Sequence, residues 1–115
     1  MILSEIAKAF SLGQFQETFP HLTENIVWTI VGENEFAGKE AVIRNCEQIA
    51  AYFRSVTTNF TLLNCIVDQN LVAINGAAEF IRDGQRIAFV SSCDLYEFDN
   101  RQKLSKITSY CIQSQ

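Results

Sequence analysis

The chain is 115 residues long and 48% hydrophobic, with 9 basic and 13 acidic side chains and a net charge of −4. Such a chain suits one domain, residues 1–115, with a core of its own, and this composition excludes a disordered or fibrous class. Its basic residues form no cluster, which argues against a nucleic-acid partner, and no apolar run reaches the roughly 18 residues that cross a bilayer as a helix.

Leu3, Ile6, Ala7 and Phe10 recur at helical spacing, with Glu5, Lys8 and Ser11 between them. This predicts a short amphipathic helix ending near Gly13, which can take the left-handed conformation of a C-terminal cap. The same stretch lacks the basic start of a secretory signal. Phe15 and Phe19, four apart, predict a second short helix over 14–19, stopped by Pro20. His21 follows as a turn residue. Residues 26–31, IVWTIV, read as an apolar strand closed by Gly32, and 33–38 as a polar connection. The longest helix is predicted over 39–53, with Ala41, Val42, Cys46, Ile49, Ala50 and Phe53 on one stripe and the charges elsewhere. A strand follows over 60–67, with a turn at Asp68-Gln69-Asn70.

Residues 71–98 carry the strongest strand signal, two β-branched and aromatic runs around Asp83-Gly84. An Asp-Gly pair between such runs is a hairpin signal, because both central turn positions need positive φ. An unbroken ladder then places Arg82 opposite Gln85, Phe80 opposite Ile87, Ala78 opposite Phe89, Ile74 opposite Cys93 and Val72 opposite Leu95. The other face pairs Glu79 with Ala88, Ala77 with Val90, Asn75 with Ser92, Ala73 with Asp94 and Leu71 with Tyr96. That second face mixes small apolar residues with a few polar groups, which suits either a pocket wall or a solvated face. A one-residue bulge would exchange the faces locally. The turn Asp99–Gln102 leads into a last strand, 104–112.

Helices first and strands after argue for an α+β fold. We expect a curved antiparallel sheet, wrapped as a cone around the long helix, with two short N-terminal helices and a small-molecule site inside. The four cysteines, Cys46, Cys65, Cys93 and Cys111, form no CxxC pair, and one histidine leaves zinc short of ligands. Reduced, buried thiols in a cytoplasm are expected, with no metal site.

The element order, the strand holding Val27-Trp28 and Gly32, the run Phe36-Ala37-Gly38-Lys39-Glu40-Ala41-Val42, and Cys93-Asp94-Leu95-Tyr96-Glu97-Phe98 followed by a turn and Leu104–Ile107 resemble the nuclear transport factor 2-like superfamily. Within it, the chain is most similar to SnoaL-like and ketosteroid-isomerase-like proteins, over nearly its whole length. The resemblance implies a pocket inside the cone and a homodimer through the convex sheet face, here assigned to Val72, Ile74, Phe80, Ile87, Phe89 and Leu95. Carried over by position, the isomerase base falls near Thr29 and Ile30 and the helix tyrosine near Ile6, so neither group is present. The oxyanion-hole aspartic acid of that family matches Asp94, a group that an apolar site can hold neutral.

Asp94 is therefore the candidate general acid/base. Trp28, Tyr52, Asn75, Val90, Ser92, Tyr96, Ile107 and Ser109 are the candidate ligand-lining residues. Two classes stay open: a cofactor-free isomerase, cyclase or hydrolase acting on a small apolar substrate, and a non-catalytic ligand-binding or dimeric adaptor domain.

Overall fold

A computed structural model describes residues 1–114. Two α-helices, α1 (Leu3–Ser11) and α2 (Lys39–Ser55), and a 3-10 helix (Phe15–His21) pack on a sheet made of β1 (Leu22–Ile30), β2 (Asn34–Ala37), β3 (Thr57–Asp68), β4 (Leu71–Arg82), β5 (Gln85–Phe98) and β6 (Leu104–Ser114). The strand order is β2-β1-β6-β5-β4-β3. The fold is α+β, a curved and unclosed sheet folded over the helices, as the pattern of elements led us to expect.

Local chemistry explains most boundaries. The Ile2 amide donates to Glu5 Oε1 at 3.0 Å, occupying a free donor at the start of α1. Gly13, at φ 79°, turns the chain after α1, and a Cβ there would stand 3.1 Å from the Phe53 ring. Pro20 sits inside the 3-10 helix, which runs on through His21. The segment 33–38, read as a connection, contains a strand: β2 pairs antiparallel with β1 from Asn34 opposite Ile30 to Ala37 opposite Val27. Its short polar sequence carries little strand signal, and pairing with the apolar β1 supplies the order. The sheet is also not wholly antiparallel, since β6 returns beside β1 in parallel, Trp28 level with Ile107 and Ile30 with Ser109.

The hairpin turns at Asp83 and Gly84, both at positive φ (53° and 77°), with Arg82 opposite Gln85. Ile87 is then an extra residue on β5. Ile81 faces Arg86, but Phe80 faces Ala88, and every later pair is shifted by one from an unbroken ladder: Ala78 with Val90, Ile74 with Asp94, Val72 with Tyr96. The faces are thereby exchanged along most of β5. Val72, Ile74 and Phe80 are buried on the concave side together with Tyr96. They cannot belong to a convex interface, which corrects the dimer face assigned above; only Ile87, Phe89 and Leu95 of that set lie outside the core. The convex side instead presents Leu63, Ile66, Leu95, Tyr110 and Ile112 as exposed apolar side chains.

The core lies between α2 and the concave face. Val42 and Cys46 of α2 are fully buried there, with Ile6 and Phe10 of α1, Ile26 and Trp28 of β1, and Leu104 and Ile107 of β6. A second bulge, at Leu63 of β3, lies beside Gly76, between the pairs Leu62–Gly76 and Asn64–Asn75. A Cβ on Gly76 would approach the Thr61 carbonyl oxygen at 2.8 Å, and that oxygen is backbone and cannot rotate away. Gly76→Ala should therefore destabilise the protein by about 1–3 kcal/mol, the usual range for overpacking. Urea unfolding measures this, and an unchanged midpoint would mean that β3 and β4 have more room than their spacing indicates.

Candidate functional site

Cross-strand register builds the site. On the concave face one row runs Cys65, Ile74, Asp94, Ser109, Ile30, and the next runs Val72, Tyr96, Ile107, Trp28, Phe36. Asp94 is thus the one carboxylate in two rows of otherwise neutral side chains. Over it closes the end of α1, whose last residue, Ser11, donates its hydroxyl to Asp94 Oδ2 at 2.9 Å. The same hydroxyl lies 2.5 Å from the Tyr96 phenol oxygen. With the Ser11 proton directed at Asp94, the Tyr96 phenol is the donor in that second bond. Trp28 Nε1 donates to Ser109 Oγ at 3.0 Å, and Ser109 is the direct cross-strand neighbour of Asp94.

Two opposing effects act on the Asp94 carboxyl. Burial penalises the charged form, while the bond from Ser11 and the neighbouring hydroxyls of Ser109 and Tyr96 favour it. Burial is the larger, so the pKa stands above its ordinary value of 3.8. The Tyr96 phenol is held far above its usual range, first by complete burial and then by the charge of Asp94. No lysine, arginine or histidine lies among the side chains facing the cavity beside Asp94.

That cavity has a volume of about 180 Å³. Its polar lining comes from Asp94, Ser11, Ser92 and Ser109, and most of its wall is apolar, with six aromatic rings beside Ile30, Ile49, Ala78 and Val90. Phe10 anchors one side, edge-on to Trp28 at 4.9 Å and to Phe15 at 5.0 Å. Phe53 of α2 anchors the other, stacked on Phe80 at 5.7 Å and edge-on to Phe60 at 5.2 Å.

Of the residues named from sequence, Trp28, Val90, Ser92, Asp94 and Ser109 line this cavity. Tyr96 and Ile107 lie beneath it, fully buried, with Tyr96 reaching the site only through its hydroxyl. Tyr52 is 43% exposed and packs on Phe53 and Phe80 outside the lining. Asn75 is exposed on the convex face opposite Cys93, because the bulge at Ile87 separates it from Ser92. Ser11, Phe10, Phe15, Phe53, Phe60 and Phe80 were missed. Periodicity marked Phe10 and Phe53 as inward-facing, but nothing local ties Ser11 to a carboxylate 83 residues away. The cysteines also need correction. All four are free, as expected, but only Cys46 is fully buried, while Cys111 is exposed at the edge of the cavity. Partial desolvation at that edge pushes the Cys111 thiol up to about 11, with the charges of Asp94 and Glu33 adding to the shift.

No family model and no curated protein matches this sequence. Solved structures do. A protein of unknown function from Cytophaga hutchinsonii ATCC 33406, described as NTF2-like, is 34% identical over 94% of each chain, with a TM-score of 0.85. This chain belongs to the NTF2-like superfamily. Two more distant likenesses concern the fold alone. A candidate SnoaL-like polyketide cyclase from Jannaschia sp. CCS1 is 12% identical over 95% of this chain and 84% of its own, with a TM-score of 0.74. An LEH-like epoxide hydrolase from M. tuberculosis is 16% identical over 91% and 75%, with a TM-score of 0.65. Among the described residues of this NTF2-like chain, no helix is long and apolar enough to cross a membrane.

The raised pKa of Asp94 predicts a pH dependence of stability. A carboxyl that holds its proton more tightly folded than unfolded stabilises the fold below the unfolded value. That contribution is lost as pH rises through the folded pKa. Asp94→Asn lacks this titration. Its stability relative to the native chain should therefore improve as pH climbs from about 4 and level off above the folded pKa. Urea unfolding of both proteins across that range tests it; a difference that stays constant with pH would exclude the desolvated carboxyl.

Proposed function

We propose that this SnoaL-like domain holds a small apolar molecule in the cavity between α2 and the sheet. On this reading Asp94 acts on it as a cofactor-free general acid/base, in the manner of an isomerase, cyclase or hydrolase. The observation that carries the reading is the lone desolvated carboxyl at the end of an aromatic cavity. A raised pKa brings such a group closer to neutrality, where it can give up or take a proton, and acid/base catalysis works best with a pKa near the operating pH. In its neutral form Asp94 donates to a carbonyl or leaving oxygen of the substrate; as the carboxylate it removes a proton from an adjacent carbon. Ser11 and Ser109 hold the carboxyl in place and steady its charge. The same fold carries a candidate polyketide cyclase and an epoxide hydrolase, so it accommodates an enzyme of this kind.

Exchange of the α-protons of small ketones in heavy water, followed by NMR, is a direct assay. Asp94→Asn should lower the exchange rate by about 10²- to 10⁴-fold, the usual contribution of a positioned acid/base. Ligand affinity should stay within about tenfold, or 1.4 kcal/mol. Full activity in the variant would leave the ligand-binding reading in its place.

The same proposal includes a homodimer through the convex face. Leu63, Ile66 and Ile112 there are 59%, 64% and 70% exposed, and with Leu95 and Tyr110 they place exposed apolar side chains on β3, β5 and β6 of one sheet face. Each such side chain gains roughly 1.5–3 kcal/mol on full burial, and an apolar area of this kind marks an interface. Ile112→Glu should turn a dimer into a monomer in sedimentation at micromolar concentration. A native chain already monomeric under those conditions would remove this part of the proposal.

A further inference from the structure

The size and lining of the Asp94 cavity narrow what it can hold. Its roughly 180 Å³ lies close to the ~150 Å³ of an engineered apolar cavity that takes up benzene, and below the ~300 Å³ at which pockets for drug-sized ligands begin. A recess of about 50 Å³ adjoins it, sharing Ser11, Ala78 and Ser92 and floored by Gly76. That is room for a small substituent or one ordered water. The absent side chain at Gly76 opens this recess, and the Thr61 carbonyl keeps it from being filled by even a methyl group. Together the two spaces hold one ring with short substituents, and a fused system of three or four rings would project beyond them.

Shape and charge restrict the occupant further. Phe10, Phe15, Trp28, Phe53, Phe60 and Phe80 supply flat faces and edges on several sides, which suit a planar ring in offset or edge-on contact. No lining side chain is cationic, so an anionic group would enter without a partner and next to a carboxyl group. The Ser11 hydroxyl is engaged by Asp94 and the Ser109 hydroxyl by Trp28, which leaves the carboxyl as the focal polar group.

We propose that the occupant is an uncharged single-ring aromatic bearing one carbonyl or hydroxyl oxygen, with its ring among the phenylalanines and Trp28 and its oxygen at Asp94. This rests on the reading of the cavity as the ligand site and adds its size limit and charge selectivity. Trp28 is the chain's one tryptophan, so its indole N–H gives a single NMR signal at the cavity wall.

The test is titration of the native protein with acetophenone, benzoate and a four-ring steroid ketone at neutral pH, following that signal. Acetophenone should shift it saturably. Benzoate should bind at least tenfold more weakly, and the steroid should give no saturable shift. Ala78→Phe, which projects a ring into the cavity, should weaken acetophenone at least tenfold with an unchanged circular dichroism spectrum. If that variant does not fold, Val90→Met reads the same effect with a smaller intrusion. Steroid binding as tight as acetophenone overturns the size limit, benzoate binding as tight overturns the charge selectivity, and no saturable acetophenone shift overturns the proposal as a whole. Acetophenone bound without any proton exchange would sink the acid/base reading alone. Exchange on the steroid without acetophenone binding would sink the single-ring reading alone.

Discussion

One extra residue in β5 decides which side chains face inward. At the turn Arg82 and Gln85 are paired, and past Ile87 the partner of each β4 residue moves by one. Side chains alternate along a strand with a period of two, so a shift of one residue moves a whole arm to the other face. With the bulge, Val90, Ser92, Asp94 and Tyr96 share the concave face with Val72, Ile74, Ala78 and Phe80. Without it, Asp94 and Tyr96 would lie level with Ala73 and Leu71 of β4, and Val72 and Ile74 would meet Leu95 and Cys93. The Ile87 side chain itself is 44% exposed, the cost of accommodating the extra residue near the hairpin tip.

A carboxyl on the inner face then needs partners, and the helices and neighbouring strand provide them. Ser11 arrives from the end of α1, Ser109 from β6 next to Asp94, and both are backed by a second donor, Tyr96 behind Ser11 and Trp28 behind Ser109. Buried polar groups left without partners cost roughly 1–3 kcal/mol, more when charged. These bonds make a buried Asp tolerable. They do not cancel its desolvation, so the group remains a weaker acid than a surface Asp. A carboxyl in that intermediate condition suits proton transfer better than one fully paired with an arginine, which would stay ionised well below neutral pH.

The aromatic cavity follows from two packing hubs. Phe10 joins α1 to β1, and Phe53 joins α2 to β3 and β4 through Phe60 and Phe80. Gly13 permits this arrangement, since it lies against both the Phe53 and Phe60 rings with its φ in the left-handed region. The rings hold the helices away from the sheet at a fixed spacing, and the space left between them is the cavity.

The amphipathic spacing of Leu3–Phe10, the stripe of α2, the Asp83-Gly84 turn and the order of elements were legible in the sequence, because they depend on neighbours within a few positions. So was the inward environment of Asp94, through its parity with Val90 and Tyr96 on the less crowded hairpin face together with its match to a family position. The chain alone did not reveal β2, whose order comes from pairing with β1, or the parallel return of β6. It did not reveal the bulge at Ile87, which carried Asn75 to the outside and Val72, Ile74 and Phe80 to the inside. Nor did it reveal Ser11 as the partner of Asp94. Local pattern fixes turns and amphipathic faces because their energies are summed over adjacent residues. Register and long-range hydrogen bonds are settled only when distant segments compete for the same core, and in this protein that competition placed the carboxyl, its partners and the cavity together.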